Sequence, residues 1–336
     1  MIKILLTADS HLGFDDPVRP RIQRRRRGPD FFDNFRKILQ AAAEDEVDLL
    51  IHGGDLFFRS RISQQLANRV YREIFNIAEQ GIKVVIVPGN HEHSFLPQSL
   101  LTCHPDIYVF HRPLIYKFTI RGIRLSLYGF PFVRDEIQHV FPFIIKTLQE
   151  NDSDADMRIL CLHQIVENAC VGPGNHIFRK GPDIIPLKMI PDCFRAVLCG
   201  HIHRQQIIWK ESGERLIPII YPGSSERTSF AERNEAKGFY IITIDQERIF
   251  PRLMILNTRP MKDIILEGYY HNCSELQEAL LGKSSRLSPE TVIRIKMLQP
   301  ENLRHLHMSQ LRQILPPGAV ITVSCPSRKK PHHARY

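Results

Sequence analysis

Short runs rich in Ile, Leu and Val recur along the chain, at Ile2–Thr7, Asp48–His52, Lys83–Pro88, Ile123–Leu127, Arg158–His163, Ala196–Gly200, Ile217–Tyr221 and Gly238–Asp245. They are nearly continuous in apolar residues rather than alternating, which is the pattern of strands covered on both faces. Helical patterns lie between the early ones. Phe31, Phe32, Phe35, Ile38, Leu39 and Ala42 share one helix face, and Leu66, Val70, Ile74, Ile77 and Ala78 share another. Strands alternating with helices predict a layered α/β domain, with the later strands in a second sheet packed on the first. At 336 residues and 43% hydrophobic content, the chain has material for one large core and a small second one.

Around Asn257–Pro260 the pattern changes. A small β-α-β-α-β unit is expected beyond it. Its parts are Asp263–Leu266, a helix starting near Ser274 with Ser274 and Gln277 at capping-box spacing, Thr291–Met297, a helical pattern over Leu303–Leu315, and Ala319–Ser324 after Pro316-Pro317-Gly318. The expected division is a main domain over 1–258, a small domain over 261–326 and a basic tail over 327–336.

Composition narrows the setting. The 45 Lys+Arg against 36 Asp+Glu leave a formal charge of +9, which favours polyanionic partners without identifying one. The 7 cysteines form no CxxC pair, and their odd number suits free thiols in a reducing, cytoplasmic setting. The opening apolar run is too short for a signal-peptide core, and no apolar run reaches membrane-spanning length, so no membrane partner is expected.

The ends of the apolar runs carry the chemistry. Asp9-Ser10-His11 follows the first, Gly53-Gly54-Asp55 the second and Gly89-Asn90-His91-Glu92 the third; His163 ends the run at 158, and Gly200-His201-Ile202-His203 ends the run at 196. Each piece taken singly is more often a turn or an exposed polar pair. Five together, each closing a strand, point instead to residues gathered at the carboxyl edge of a sheet. Imidazole and carboxylate ligands suit Mn2+, Fe2+ or Zn2+, and one carboxylate can bridge two ions about 3.5–4 Å apart.

In order and spacing, Asp9-x-His11, Gly54-Asp55, Gly89-Asn90-His91, His163 and Gly200-His201-x-His203 resemble the motif set of the calcineurin-like metallophosphoesterases. The resemblance implies a two-sheet sandwich flanked by helices. It implies one ion held by Asp9, His11, Asp55 and His203, a second held by Asp55, Asn90, His163 and His201, and His91 beside them as the catalytic imidazole. The implied reaction is metal-assisted hydrolysis of a phosphate ester.

Two further segments resemble SbcD-type nuclease subunits of DNA end-processing complexes. One is Gly54-Asp55-Leu56-Phe57 with Arg59-Ser60-Arg61, and the other runs from Tyr221-Pro222-Gly223-Ser224-Ser225-Glu226-Arg227 to Lys237-Gly238-Phe239. The small domain from about Met261 resembles the capping domain of the same nucleases. Three features depart from that pattern. Phe58 stands where those nucleases commonly have a phosphate-positioning His, and Glu92 stands where Asp is usual. The chain also shows no helices for docking on a coiled-coil ABC ATPase, so such a partner is not expected.

The reading is therefore a Mn2+-dependent DNA exo- or endonuclease acting in repair, with DNA as partner and a homodimer left open. The alternatives are a phosphodiesterase for nucleotides or other small phosphoesters, and a non-catalytic, metal-containing DNA-binding scaffold. The arginines at 19, 21 and 24–27 follow the Asp9-x-His11 turn. Of these, Arg24, Arg25, Arg26 and Arg27 are candidates to hold a phosphate backbone, against the plainer reading of a solvated loop. His176 is expected in a loop near the site rather than as a ligand, and Trp209 in the core.

Overall fold

The computed structural model describes residues 1–16, 26–92, 96, 104–152, 154–245, 248–316 and 319–325. The chain folds into two compact units. One runs from Met1 to Thr258, apart from the short stretch that carries Arg26 and Arg27; the other takes in that stretch and the chain from Arg259 onward.

The first unit contains two six-stranded sheets. In chain order its strands are β1 (Ile2–Thr7), β2 (Leu49–His52), β3 (Lys83–Ile86), β4 (Ile107–Val109), β5 (Leu114–Ile120), β6 (Ile123–Gly129) and β7 (Met157–Leu162). Four two-residue strands follow: β8 (Ile165–Val166), β9 (Cys170–Val171), β10 (His176–Ile177) and β11 (Ile184–Ile185). Then come β12 (Ala196–Cys199), β13 (Gln206–Ser212), β14 (Arg215–Tyr221), β15 (Gly238–Ile244) and β16 (Ile249–Ile255). The first sheet has the order β16-β15-β1-β2-β3-β4, and the second β13-β14-β12-β7-β6-β5. β1 to β4 run parallel, as do β6, β7, β12 and β14, while β5, β13, β15 and β16 each pair antiparallel.

Both faces of the central strands are buried, which is why their sequences do not alternate. Ile4, Leu6, Ile51 and Val85 face Ile159, Cys161, Leu198 and Ile220 in one core between the sheets. Leu5 and Leu50 point the other way, onto α1 (Gly28–Glu44) and α2 (Gln64–Ala78), where Phe31, Phe35, Ile38, Val70 and Ile74 are buried. Leu160, Leu162 and Val197 face α3 (Ile137–Gln149) through Ile137, Phe141 and Ile145. The layers are helix, sheet, sheet, helix. Each fully buried Leu, Ile or Phe contributes about 1.5–3 kcal/mol, so three such cores hold the strand ends firmly in place. Ser63 caps α2, its Oγ accepting from the Leu66 N–H at 3.2 Å.

In the second unit β17 (Met261–Leu266), β18 (Val292–Met297) and β19 (Val320–Ser324) form a parallel sheet in that order. Ile264, Leu266, Ile293, Ile295 and Met297 pack with Leu276 and Leu280 of α4 (Cys273–Ser284) and Leu311 of α5 (Met308–Ile314). Two details differ from the sequence reading. The α4 cap is Asn272, whose Oδ1 accepts from the Glu275 N–H at 3.0 Å, while the Glu275 carboxylate accepts from the His271 N–H at 2.9 Å, so the capping pair sits two residues before Ser274 and Gln277. The single helix expected over 303–315 is a 3-10 turn at Pro300–His305 followed by α5, because residues 306 and 307 adopt extended backbone. The expected tail at 327–336 lies outside the described residues. Trp209 is 49% exposed on the edge strand β13, not in the core.

Candidate metal centre

The five motif pieces follow β1, β2, β3, β7 and β12, and the fold brings them to one edge. Backbone hydrogen bonds sew the first two turns together: the Asp9 N–H donates to Gly54 O at 2.8 Å and the His11 N–H to Asp55 O at 3.0 Å. Asp9, His11, Asp55 and His201 all have positive φ, at 51°, 44°, 52° and 85°. Non-glycine residues rarely adopt that region, and clusters of such strain mark functional sites. The neighbouring glycines are needed for close approach. A Cβ on Gly54 would collide with the His163 ring, and one on Gly89 with the Asp55 carboxylate.

Asp9, His11, Asp55 and His163 are 0–1% exposed. Asp55 divides its two oxygens between two neighbourhoods. Oδ2 lies 3.9 Å from His11 Nε2 and 3.8 Å from His91 Nε2, while Oδ1 lies 3.5 Å from His163 Nε2. On the first side His11 Nε2 faces His203 Nε2 at 3.0 Å, and Asp9, His11 and His203 offer ligand atoms all within 4.8 Å of one another. On the second side Asn90 Oδ1 lies 3.0 Å from His163 Nε2 and 2.8 Å from His201 Nδ1. His163 donates Nδ1–H to Gly53 O at 2.7 Å, which turns the Nε2 lone pair inward. All seven predicted ligands therefore meet. The donors are hard oxygens and imidazole nitrogens converging without thiolates, a set that fits divalent Mn, Fe or Zn.

The electrostatics describe a pocket that needs positive charge. Burial pushes the Asp9 carboxyl up to about 6, although His163 and His203 pull it down. Burial acts on Asp55 in the same sense but is outweighed, by His163 first, and its carboxyl is held well below the usual range. Burial disfavours charge on His163, yet Asp55 overrides it and raises that imidazole to about 9. Burial keeps His11 and His201 neutral, the latter lowered to about 3. In the metal-free protein, protons on His163 balance charge that cations would otherwise neutralise.

His91 is more open than the deeply buried histidines and than His203, which has 26% side-chain exposure. The His91 side chain is 34% exposed, against 0% for His11 and His163. Its Nδ1–H donates to the Phe58 carbonyl at 2.8 Å, which leaves Nε2 aimed at the cluster. The Phe58 ring lies 5.5 Å from the His91 ring and 5.8 Å from the His11 ring. Phe132 lines the opposite side, stacked on His201 at 5.5 Å.

Two further residues brace these turns, His52, which the sequence reading did not single out, and Glu92, which it noted only as a departure from the usual Asp. His52 accepts from the Gly54 N–H at Nδ1 and meets Ser10 Oγ through Nε2 at 2.8 Å; burial lowers it to about 3. Glu92, 3% exposed, accepts from the Phe57 N–H at 2.8 Å and the Gly89 N–H at 2.7 Å, tying the β2 turn to the β3 turn. Burial and then Asp55 raise it to about 8. Position could have found His52, because it ends its apolar strand as His163 does.

His176 is exposed on β10 and is not among the clustered groups. Arg24 and Arg25 lie outside the described residues. Arg26 is half-buried, and Arg27 is 5% exposed, so Arg27 is a packed side chain and not part of an open phosphate-gripping surface.

Among known proteins, the chain is 27% identical over 301 residues to the double-strand break repair protein MRE11 of Encephalitozoon cuniculi, covering 77% of this chain and 48% of that one. It is 24% identical over 257 residues to the DNA double-strand break repair protein Mre11 of Methanopyrus kandleri, covering 71% and 53%. With the protein of the same name from Sulfurisphaera tokodaii it shares 22% identity over 319 residues, covering 93% and 77%. The chain thus spans about half the length of the first two relatives. Residues 2–205 match the calcineurin-like phosphoesterase family. That match takes in more than half of the 336 residues and every one of the clustered candidate ligands, and the protein belongs to the calcineurin-like phosphoesterase family.

Proposed function

We propose that the protein is a two-metal phosphodiester hydrolase acting on DNA, with Mn2+ as its working ion. One ion would be held by Asp9, His11, Asp55 and His203, and the other by Asp55, Asn90, His163 and His201. When bound, such ions acidify water and neutralise charge on the phosphoryl oxygens. The observation that carries this reading is Asp55, whose two oxygens face two separate sets of ligands.

The chain's own residues supply the rest. Gly53 O and Phe58 O fix the tautomers and ring planes of His163 and His91. His91 Nε2, accessible and 3.8 Å from Asp55, is placed to hydrogen-bond a non-bridging oxygen or to protonate the leaving oxygen. DNA as substrate is supported by the relatives, which are named as DNA double-strand break repair proteins, and by the +9 charge. One observation favours a second reading, a hydrolase of small phosphoesters: Phe58 puts an apolar ring beside the cluster where a hydrogen-bonding side chain would grip a phosphate. Metal-reconstituted protein offered bis-p-nitrophenyl phosphate, nucleotides, and single- and double-stranded DNA separates the two. Turnover of the small substrates without any DNA cleavage would replace the first reading with the second.

A further inference from the structure

The stretch from Tyr221 to Phe239 forms the connection between β14 and β15, and its charged side chains are turned inward. Glu232 is 8% exposed and Lys237 is 1% exposed. Lys237 Nζ lies 2.6 Å from Glu232 Oε2 and 3.2 Å from Glu235 Oε2. Burying such a group of charges is expensive, and apolar residues of similar volume commonly serve stability as well or better. What the group grips is His203.

His203 is held at both its backbone and its ring. Its carbonyl accepts from Lys237 Nζ at 2.8 Å and from the Ser224 N–H at 3.1 Å. Gly223, with φ of +78°, packs so closely on the 203–205 backbone that a Cβ there would strike His203 O at 2.7 Å. At the ring, Nδ1 lies 3.3 Å from Glu232 Oε1, and that same oxygen accepts from Thr228 Oγ1 at 2.6 Å. The second oxygen of Glu232 takes Lys237 and, at 3.3 Å, Ser224 Oγ. A carboxylate fixed at both oxygens can receive only one proton from the imidazole, the one on Nδ1. The Nε2 lone pair is then turned toward His11 and the ligand group on that side.

We propose that Glu232, fixed by Lys237 and Thr228, is the positioning residue for His203, and that the segment from Gly223 to Lys237 is a cradle for one ligand of one metal ion. The inference rests on the two-metal reading. It assigns the segment a role at the centre that does not involve touching substrate. Residues that accept the distal N–H of a metal-bound imidazole typically govern about 10- to 100-fold in metal affinity.

Calorimetric titration of the full chain with Mn2+ alone, together with melting temperatures in chelator, tests it. In Glu232→Leu the ion held by His203 is expected to bind about 10- to 100-fold more weakly while the other keeps its affinity. Glu232→Gln, whose amide oxygen can accept the same N–H, recovers most of the loss. Thr228→Val leaves the ionic pair intact and removes only the hydroxyl that lies 2.6 Å from Oε1 and 3.4 Å from His203 Nδ1, so it shows a smaller loss at the same ion even if Glu232→Leu fails to fold. Unchanged affinity in folded Glu232→Leu and Thr228→Val, or equal weakening of both ions, overturns the assignment and leaves the cradle a structural clamp. Failure of the unaltered protein to take up two ions would instead overturn the two-metal reading beneath it.

Discussion

Asp55 and His91 sit 3.8 Å apart at one edge of the fold, and they are expected to do different work. Asp55→Ala is expected to disturb both ions, because its oxygens face both ligand sets; retention of one tight ion with activity intact would contradict bridging. His91→Ala is expected to keep two ions and lose about 10²- to 10⁴-fold in hydrolysis, checked by metal analysis of the same sample used for kinetics. Proton linkage gives a further expectation. Below about 9 His163 carries a proton in the metal-free protein, and below about 6 Asp9 does too. Each must leave for an ion to bind, so affinity falls about tenfold per pH unit below 9 and more steeply below 6. For the metal-free fold, both raised pKa values act in one sense. His163 stabilises fully below its unfolded value near 6.5, and that stabilisation is lost as pH rises through about 9; Asp9 does the same between 3.8 and about 6. Added Mn2+ should therefore raise the melting temperature more at pH 8 than at pH 5.5. An equal rise at both values would contradict the linkage. Phe58 is also informative. Its carbonyl holds His91 whatever its side chain, so Phe58→His should leave His91 in place and raise degradation of duplex ends relative to small-diester turnover. Robust duplex-end degradation by the unaltered protein would remove the premise.

At the scale of elements, the centre depends on turns that only glycine permits. Gly89→Ala places a methyl group against the Asp55 carboxylate and backbone, and should destabilise the protein by about 1–3 kcal/mol while weakening both ions. Gly174→Ala, with nothing within 4 Å of its added Cβ, is the control expected to change neither. The central strands were legible because burial on both faces leaves a continuous apolar run, and the first two helices because burial on one face leaves a helical period. Edge strands β5, β13 and β16 were not, since they mix apolar with exposed polar positions and take their shape from an antiparallel neighbour. α3 was also missed: Ile137, Phe141, Ile145 and Leu148 do share a helix face, but Pro142 lies inside it and Phe143, 73% exposed, blurs the pattern. The seven candidate ligands could be picked out of the sequence because each follows a strand. The pairing of Glu232 with Lys237 was not, although their segment stood out by its resemblance, because a buried ion pair in a connection has the same composition as a solvated loop.

At the scale of the molecule, positive charge and a negatively charged substrate class belong together. DNA affinity should fall steeply between 50 and 200 mM salt, about in proportion to the number of phosphates neutralised, while small-diester turnover changes little. Charge reversal at Arg24 and Arg25, which lie outside the described residues, should flatten that dependence; equal loss on both substrates would assign the stretch to folding instead. No helix among the described residues is long and apolar enough to cross a membrane. The most direct test of the central claim is cleavage of an end-labelled DNA oligonucleotide by protein whose Mn2+ content is measured in the same preparation. Cleavage should appear only as the second ion is taken up, vanish with chelator, and be absent from His91→Ala that still holds both ions. A protein loaded with two ions that leaves DNA and every other phosphodiester intact would contradict it.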